Sequence, residues 1–186
     1  MTYPRLILAA VVAAAAVPAA ASVVVVGSTD ARMCYESADS ALMPLIRDIR
    51  RCDDALMGGE YLTDYEILAT HVNRGILRLR RGLLDDAVAD FDEAIRIDPN
   101  QPEAYLNKGA ALIRRSNPQD ALQLFTMALD HNTTRPAVAH YGRGVANEAL
   151  GNLPAAYRDY QAASTLDPHW SAPRAELARF RVVGHE

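Results

Sequence analysis

Residues 84–99 read LDDAVADFDEAIRIDP, and residues 153–168 read LPAAYRDYQAASTLDP. In the first, Ala87, Phe91 and Ala94 stand at i, i+4 and i+7. That spacing puts two small residues and one aromatic on a single helical stripe. The same stripe recurs as Ala121, Phe125 and Ala128, and again as Ala156, Tyr160 and Ala163, at spacings of 34 and then 35 residues. Asp98-Pro99 and Asp167-Pro168 close the first and third copies, where proline cannot continue a helix.

Working outward, a glycine column keeps the same period: Gly75, Gly109 and Gly144. It marks a partner helix at its crossing with the Ala/aromatic helix, where a Cβ would hold the pair apart. The small Ala87, Ala121 and Ala156 allow close approach within a unit, and Phe91, Phe125 and Tyr160 fill the gap to the next one. Gly82 and Gly151 fall at the turn between the two helices, with Ser116 in the matching place. The one-residue insertion falls in the connection DHNTTRP, residues 130–136.

A period of 34 with G…A-x3-F-x2-A…P resembles the tetratricopeptide repeat (TPR). The resemblance covers residues 68–170. It implies an all-α fold with three helix-turn-helix units, 68–101, 102–136 and 137–170, in a right-handed superhelical stack. Stacks of this kind need caps. Residues 171–186 supply one, with a helix expected over Ala172–Val182, and residues 22–67 hold an N-terminal helical hairpin, about 31–57, and a linker.

In TPR proteins the first helix of each unit lines a concave groove, and an Asn at its sixth position can hold an extended peptide backbone. Asn73 and Asn107 occupy that position in units one and two, and unit three has Gly142. A carboxamide offers both a donor and an acceptor to a peptide unit. Ile76, Leu106, Tyr141 and Val145 are expected to make the groove mainly apolar. The amides of Asn73 and Asn107 are expected to face solvent in the free protein. A structural role for the two asparagines is the alternative.

The N-terminus reads as an address. Arg5 is the lone charge of the first 29 residues, Leu6 to Val17 is apolar, Pro18 breaks the run, and Ala19-Ala20-Ala21 offers a small-x-small site. This is the layout of a secretory signal peptide, residues 1–21, with Ser22 as the mature terminus. An uncleaved anchor reaching residue 26 is the competing reading. Either way the remainder is exported, to the periplasm of a Gram-negative envelope. An oxidising compartment favours joining Cys34 to Cys52 across a turn at Met43-Pro44. Closing such a loop contributes about 3 kcal/mol. Two free buried thiols are the alternative.

Candidate chemistry is sparse. With 19 Lys and Arg against 23 Asp and Glu, the formal charge of −4 argues against nucleic acid as a partner. No phosphate loop, HExxH or GxSxG occurs, so neither an enzyme nor a cofactor or metal is expected. His71 and His140 fall in equivalent packing positions and suggest a looser slot in units one and three. The run Asp85, Asp86, Asp90, Asp92, Glu93 and Asp98 is expected to form a solvated face. Arg78, Arg80, Arg81, Arg114 and Arg115 end first helices, where they complement the helix dipole. The expected partner is a protein or peptide, and the membrane enters only through an uncleaved anchor. A structural subunit that uses its convex face or hairpin is the rival role.

Overall fold

The computed structural model describes residues 5–8, 21–25, 29–40, 42–58 and 62–183, with backbone alone at 5–8 and 181–183. Its elements are β1 (Arg5–Leu8), α1 (Thr29–Asp39), α2 (Ile46–Met57), α3 (Asp64–Arg80), α4 (Leu84–Ile97), α5 (Pro102–Arg114), α6 (Pro118–Asp130), α7 (Pro136–Ala149), α8 (Leu153–Leu166), α9 (Ser171–Leu177) and β2 (Phe180–Val183).

Six of the helices, α3 to α8, form three antiparallel hairpins, α3/α4, α5/α6 and α7/α8, each stacked on the next. Local chemistry sets their ends. Thr63 caps α3 in a capping box with Glu66, while Pro102, Pro118 and Pro136 open α5, α6 and α7, where the missing N–H costs nothing. The tight turns within hairpins need a left-handed residue. Gly82 (φ 80°) and Gly151 (φ 78°) supply it, and Ser116 (φ 57°) takes the same conformation.

The glycine column is explained by the aromatic column. A Cβ on Gly75 would stand 2.5 Å from the Phe91 ring, on Gly109 3.0 Å from Phe125, and on Gly144 2.8 Å from Tyr160. Phe125 also reaches into the next unit, where a Cβ on Gly142 would meet its ring at 2.4 Å. The position that carries Asn in units one and two is therefore left to glycine in unit three.

The N-terminal hairpin α1/α2 packs on α3, and Cys34 and Cys52 are joined in a disulfide with Cα atoms 5.0 Å apart. The arginines expected to serve the helix dipole tie this hairpin down. Arg80 donates to the Ser40 carbonyl (2.6 Å) and Arg81 to that of Pro44 (2.9 Å), while Arg78 lies 3.8 Å from Asp53. Arg114 likewise bonds the Leu79 carbonyl of the preceding unit.

At the C-terminus the expected cap helix is shorter than the sequence suggests. α9 stops at Leu177, and Phe180–Val183 forms β2, paired antiparallel with β1 in the register Arg5↔Val183 to Leu8↔Phe180. Phe180 explains the break: its ring packs on Tyr157 (5.5 Å) and Tyr160 (6.1 Å) of α8, and the β-branched valines that follow favour an extended chain. Most of the apolar N-terminal segment lies outside the described residues. No described helix is long and apolar enough to cross a membrane.

Candidate functional site

The first helices α3, α5 and α7 contact one another in succession and form the inner row of the stack. Across α3 and α5 lies an extended segment of the same chain, residues 21–25. Ala21, Val23 and Val25 are buried, Ser22 is half-buried and Val24 is exposed, the alternation of a strand with one wet face. Asn73 holds the middle of this segment from both sides of its amide. Its Oδ1 accepts from Val23 N–H at 2.9 Å and its Nδ2 donates to the Val23 carbonyl at 2.8 Å.

One unit further on, Asn107 repeats only half of that grip. Its Nδ2 donates to the Ala21 carbonyl at 3.2 Å and to the Glu103 carbonyl at 2.8 Å, while its buried Oδ1 has no partner among the described residues. The edges are pinned by Tyr65, whose hydroxyl donates to the Val24 carbonyl (3.2 Å), and by Ser22, whose hydroxyl donates to Asp39 (2.7 Å). Asn73 and Asn107 are fully buried. The expectation that their amides face water does not hold, because the chain's own segment covers them.

The other groove residues divide. Ile76 and Leu106 are buried in the same apolar cluster as Ala21, Val23 and Val25, and Val145 packs on its edge. Tyr141 is closed off by the C-terminal cap. It packs on Trp170 at 4.8 Å, and its hydroxyl donates to Glu176 at 3.4 Å. Burial, then the Glu176 carboxylate, pushes its phenol above the ordinary value. Glu103 is buried on α5 below Asn107. One of its oxygens accepts from Thr134 N–H at 2.8 Å and from the Thr133 and Thr134 hydroxyls, and the other, Oε2, has no partner among the described residues.

Two polar clusters lie inside units one and three, in the slots that suggested looser packing. In unit one, Asp90 accepts from His71 Nδ1 (3.3 Å), from Arg74 Nη2 (2.7 Å) and from Arg78 Nη1 (2.7 Å), and Arg74 also reaches Asp53 of α2 (2.8 Å). In unit three, Asp159 accepts from His140 (3.1 Å), Arg143 (2.8 Å) and Asn147 (3.1 Å). Asp90, expected on a solvated face, is only 3% exposed. Burial pushes both carboxyls up, but the His and Arg partners outweigh it and hold them below the ordinary range. Unit two has Tyr105, Lys108 and Leu124 at the corresponding places. Among the described residues no group of three or more His, Cys, Asp or Glu is arranged to hold a metal ion.

Ala21, Val23 and Val25 were missed as site residues because they sit in the stretch read as an address and its scar. No local alternation marks them: positions 23–26 are an unbroken run of valine, so the sequence does not separate the buried positions from the exposed one.

Residues 72–137 match the family model of the tetratricopeptide repeat. Among curated proteins, the chain is 31% identical over 119 residues to a DnaJ homolog subfamily C member 7 homolog from Schizosaccharomyces pombe, covering 59% of this chain and 24% of that protein. It is 30% identical over 112 residues to human tetratricopeptide repeat protein 6, covering 55% of this chain and 21% of that protein. The chain thus spans a quarter or less of the length of those relatives. Among solved structures, MamA from Desulfovibrio magneticus superposes with a TM-score of 0.64 at 20% identity, covering 81% of this chain and 82% of that one. The first TPR domain of Spaghetti (RPAP3), bound to an HSP90 peptide, gives a TM-score of 0.58 at 23% identity, covering 64% and 94%.

Proposed function

Because the helical body of this chain is a tetratricopeptide-repeat stack, we propose that the protein is an exported adaptor whose concave groove holds an extended peptide segment of a protein partner in the cell envelope. One observation carries the reading. A five-residue extended segment lies in the groove, and the amides of Asn73 and Asn107 grip its main chain. Main-chain recognition of this kind gives affinity, and alternate side chains give specificity. In the part of the segment that begins at Ser22 the inward positions are filled by Val23 and Val25, so the partner segment carries β-branched residues at alternate places. A related stack is known with a peptide of HSP90 bound, which supports peptide binding by this fold.

Export is supported by the apolar leader, the Ala19-Ala20-Ala21 site and the Cys34–Cys52 pair. Mass spectrometry of the protein from its native envelope should find Ser22 as its first residue; an intact 1–21 on a membrane-bound protein selects the anchor instead. Affinity capture of the same material identifies the partner. The double change Asn73→Ala, Asn107→Ala should then weaken partner binding about tenfold or more, since each decade is about 1.4 kcal/mol. Unchanged affinity would remove the groove as the binding site.

A second reading has its own observation. Leu42, Met43, Leu45 and Ile46 are about half to three-quarters exposed at the turn of the N-terminal hairpin. An exposed apolar cluster favours a contact with another protein there, as a structural subunit would make. Leu42→Asp with Met43→Asp should release the captured partner if this face, and not the groove, holds it.

A further inference from the structure

We propose that Asn107 and Glu103 form a pocket for the free α-ammonium of a chain that begins in the groove. Ser22, the first residue of the mature chain, fills it at rest, and the partner that takes its place presents an N-terminal segment of its own. This rests on the reading of Ser22 as the mature terminus and of the groove as a peptide site.

The bond that export cuts lies at the pocket. Asn107 Nδ2 donates to the Ala21 carbonyl at 3.2 Å, and the carbon of that carbonyl is bonded to Ser22 N. Cleavage after Ala21 therefore leaves a new amine beside Asn107. At neutral pH an α-amine is mostly protonated. The hold on the rest of the strand does not pass through Ala21. Asn73 keeps both bonds to Val23, Tyr65 keeps its bond to the Val24 carbonyl, and Val23 and Val25 lie buried against the stack. The ammonium is thus delivered to one place.

What stands there suits it. Asn107 Oδ1 and Glu103 Oε2 are buried acceptors with no partner among the described residues. The two side chains lie one helical turn apart on α5, and Asn107 Nδ2 donates to the Glu103 carbonyl at 2.8 Å. Thr133 and Thr134 hold the Glu103 carboxylate by Oε1, which leaves Oε2 to a ligand. Buried acceptors without donors are rare in native proteins and mark a missing group. An ammonium carries three donors and no acceptor, and a carboxylate binds a charged donor more strongly than a neutral one. An internal peptide bond at the same point carries one N–H and no charge. The pocket therefore tells the start of a chain from its interior, a known mode of peptide recognition. Asp39, exposed on α1, accepts from the Ser22 hydroxyl at 2.7 Å and is the rival carboxylate for the ammonium.

The test uses the exported protein. Lys108 is the one lysine of the sequence, so an amine-directed acetylating reagent has two targets, and Lys108, paired with Asp92, is the internal reference. Glu103→Gln keeps an oxygen for Thr133 and Thr134 and removes the charge. It should speed acetylation of Ser22 relative to Lys108 by about tenfold or more, while Asp39→Asn should leave the ratio within about twofold. Acetylation in denaturant followed by refolding should lower the melting temperature of the wild type by about 2–4 °C more than that of Glu103→Gln, whose pocket is already neutral. The peptide Ser-Val-Val-Val-amide, labelled at its last residue, should bind the acetylated protein about tenfold tighter than its N-acetyl form does, and Glu103→Gln should erase that difference. A Ser22 amine that Glu103→Gln leaves unchanged, or that Asp39→Asn releases, overturns the pocket. Equal binding of the two peptides overturns the recognition of partner termini. A protected Ser22 amine with neither peptide bound keeps the resident and ends the reading of the groove as a partner site. An exported protein that retains residues 1–21 has no Ser22 amine, and the export reading then fails and takes this one with it.

Discussion

Units one and two share every repeat-packing column, yet they do different work. Unit one grips the N-terminal segment with a saturated Asn73, and it anchors the disulfide hairpin through a buried carboxylate shared by His71, Arg74 and Arg78. Unit two has the same Asn at the same place, half-satisfied, and a surface pair of Lys108 with Asp92 instead of the cluster. The columns that stack helices carry no information about these roles. The variable columns between them assign one unit to holding its own chain and leave the other with unmet acceptors.

The comparison breaks most visibly at Asp90. Asp90→Ala removes the buried carboxylate that Arg74 and Arg78 share and leaves them the more exposed Asp53. Breaking such a pair should cost about 3–5 kcal/mol in denaturant unfolding. Converting the site to the unit-two pattern, His71→Tyr with Arg74→Lys and Asp90→Leu, should recover at least half of that loss, because the charges leave together. A single Asp90→Ala within about 0.5 kcal/mol of the wild type would show that the cluster is decorative.

A smaller effect separates the two glycine contacts. Gly75→Ala places a methyl group 2.5 Å from the Phe91 ring and should destabilise by about 1–3 kcal/mol through overpacking. At Gly109 the gap is 3.0 Å, and alanine's helix preference of about 1 kcal/mol offsets most of the strain. Thermal melts should therefore rank Gly75→Ala well below Gly109→Ala, and equal melting temperatures would mean the rings yield freely.

The acid limb sharpens the contrast again. The folded carboxyls of Asp90 and Asp159 are held below the ordinary value of 3.8, so their stabilisation is complete above that pH. It is lost as pH falls through their depressed values. Stability measured from pH 5 downward should fall more steeply for the wild type than for Asp90→Ala, and parallel slopes would contradict the assignment.

The smallest effect is local. Asn73→Ala leaves a buried N–H and carbonyl of Val23 unpaired, while Asn107→Ala leaves one carbonyl. Amide exchange at Val23 should speed by about tenfold with Asn73→Ala, a change on the order of 1.4 kcal/mol in local opening, and by less with Asn107→Ala. The global melting temperature should move little in either case. Equal exchange in both variants would mean the two grips do not differ.

Much of this molecule is legible before folding. Four columns of small and aromatic residues at a period of 34–35 set six helices and their pairing, because only those residue sizes fit where two helices cross. The Cys34–Cys52 disulfide follows the expectation drawn from the export reading and the turn at Met43-Pro44. What periodicity could not show is which polar residues lie inside. Asp90 stands in a run of acids and looks solvated, and only the convergence of His71, Arg74 and Arg78 makes its burial tolerable. The C-terminal cap was misread for a related reason: residues after Leu177 keep a helical pattern, but the Phe180 ring finds Tyr157 and Tyr160 and the chain turns to a strand.

The groove shows where the division falls. That Asn73 and Asn107 can hold an extended backbone follows from residue type and repeat position alone, since a carboxamide on the inner helix has one donor and one acceptor to present. Which backbone they hold depends on a contact across 50 residues for Asn73 and 86 for Asn107. No local pattern encodes such a contact. It arises because the first helices of the stack stand side by side as one surface, and burying Ala21, Val23 and Val25 there removes apolar side chains from water.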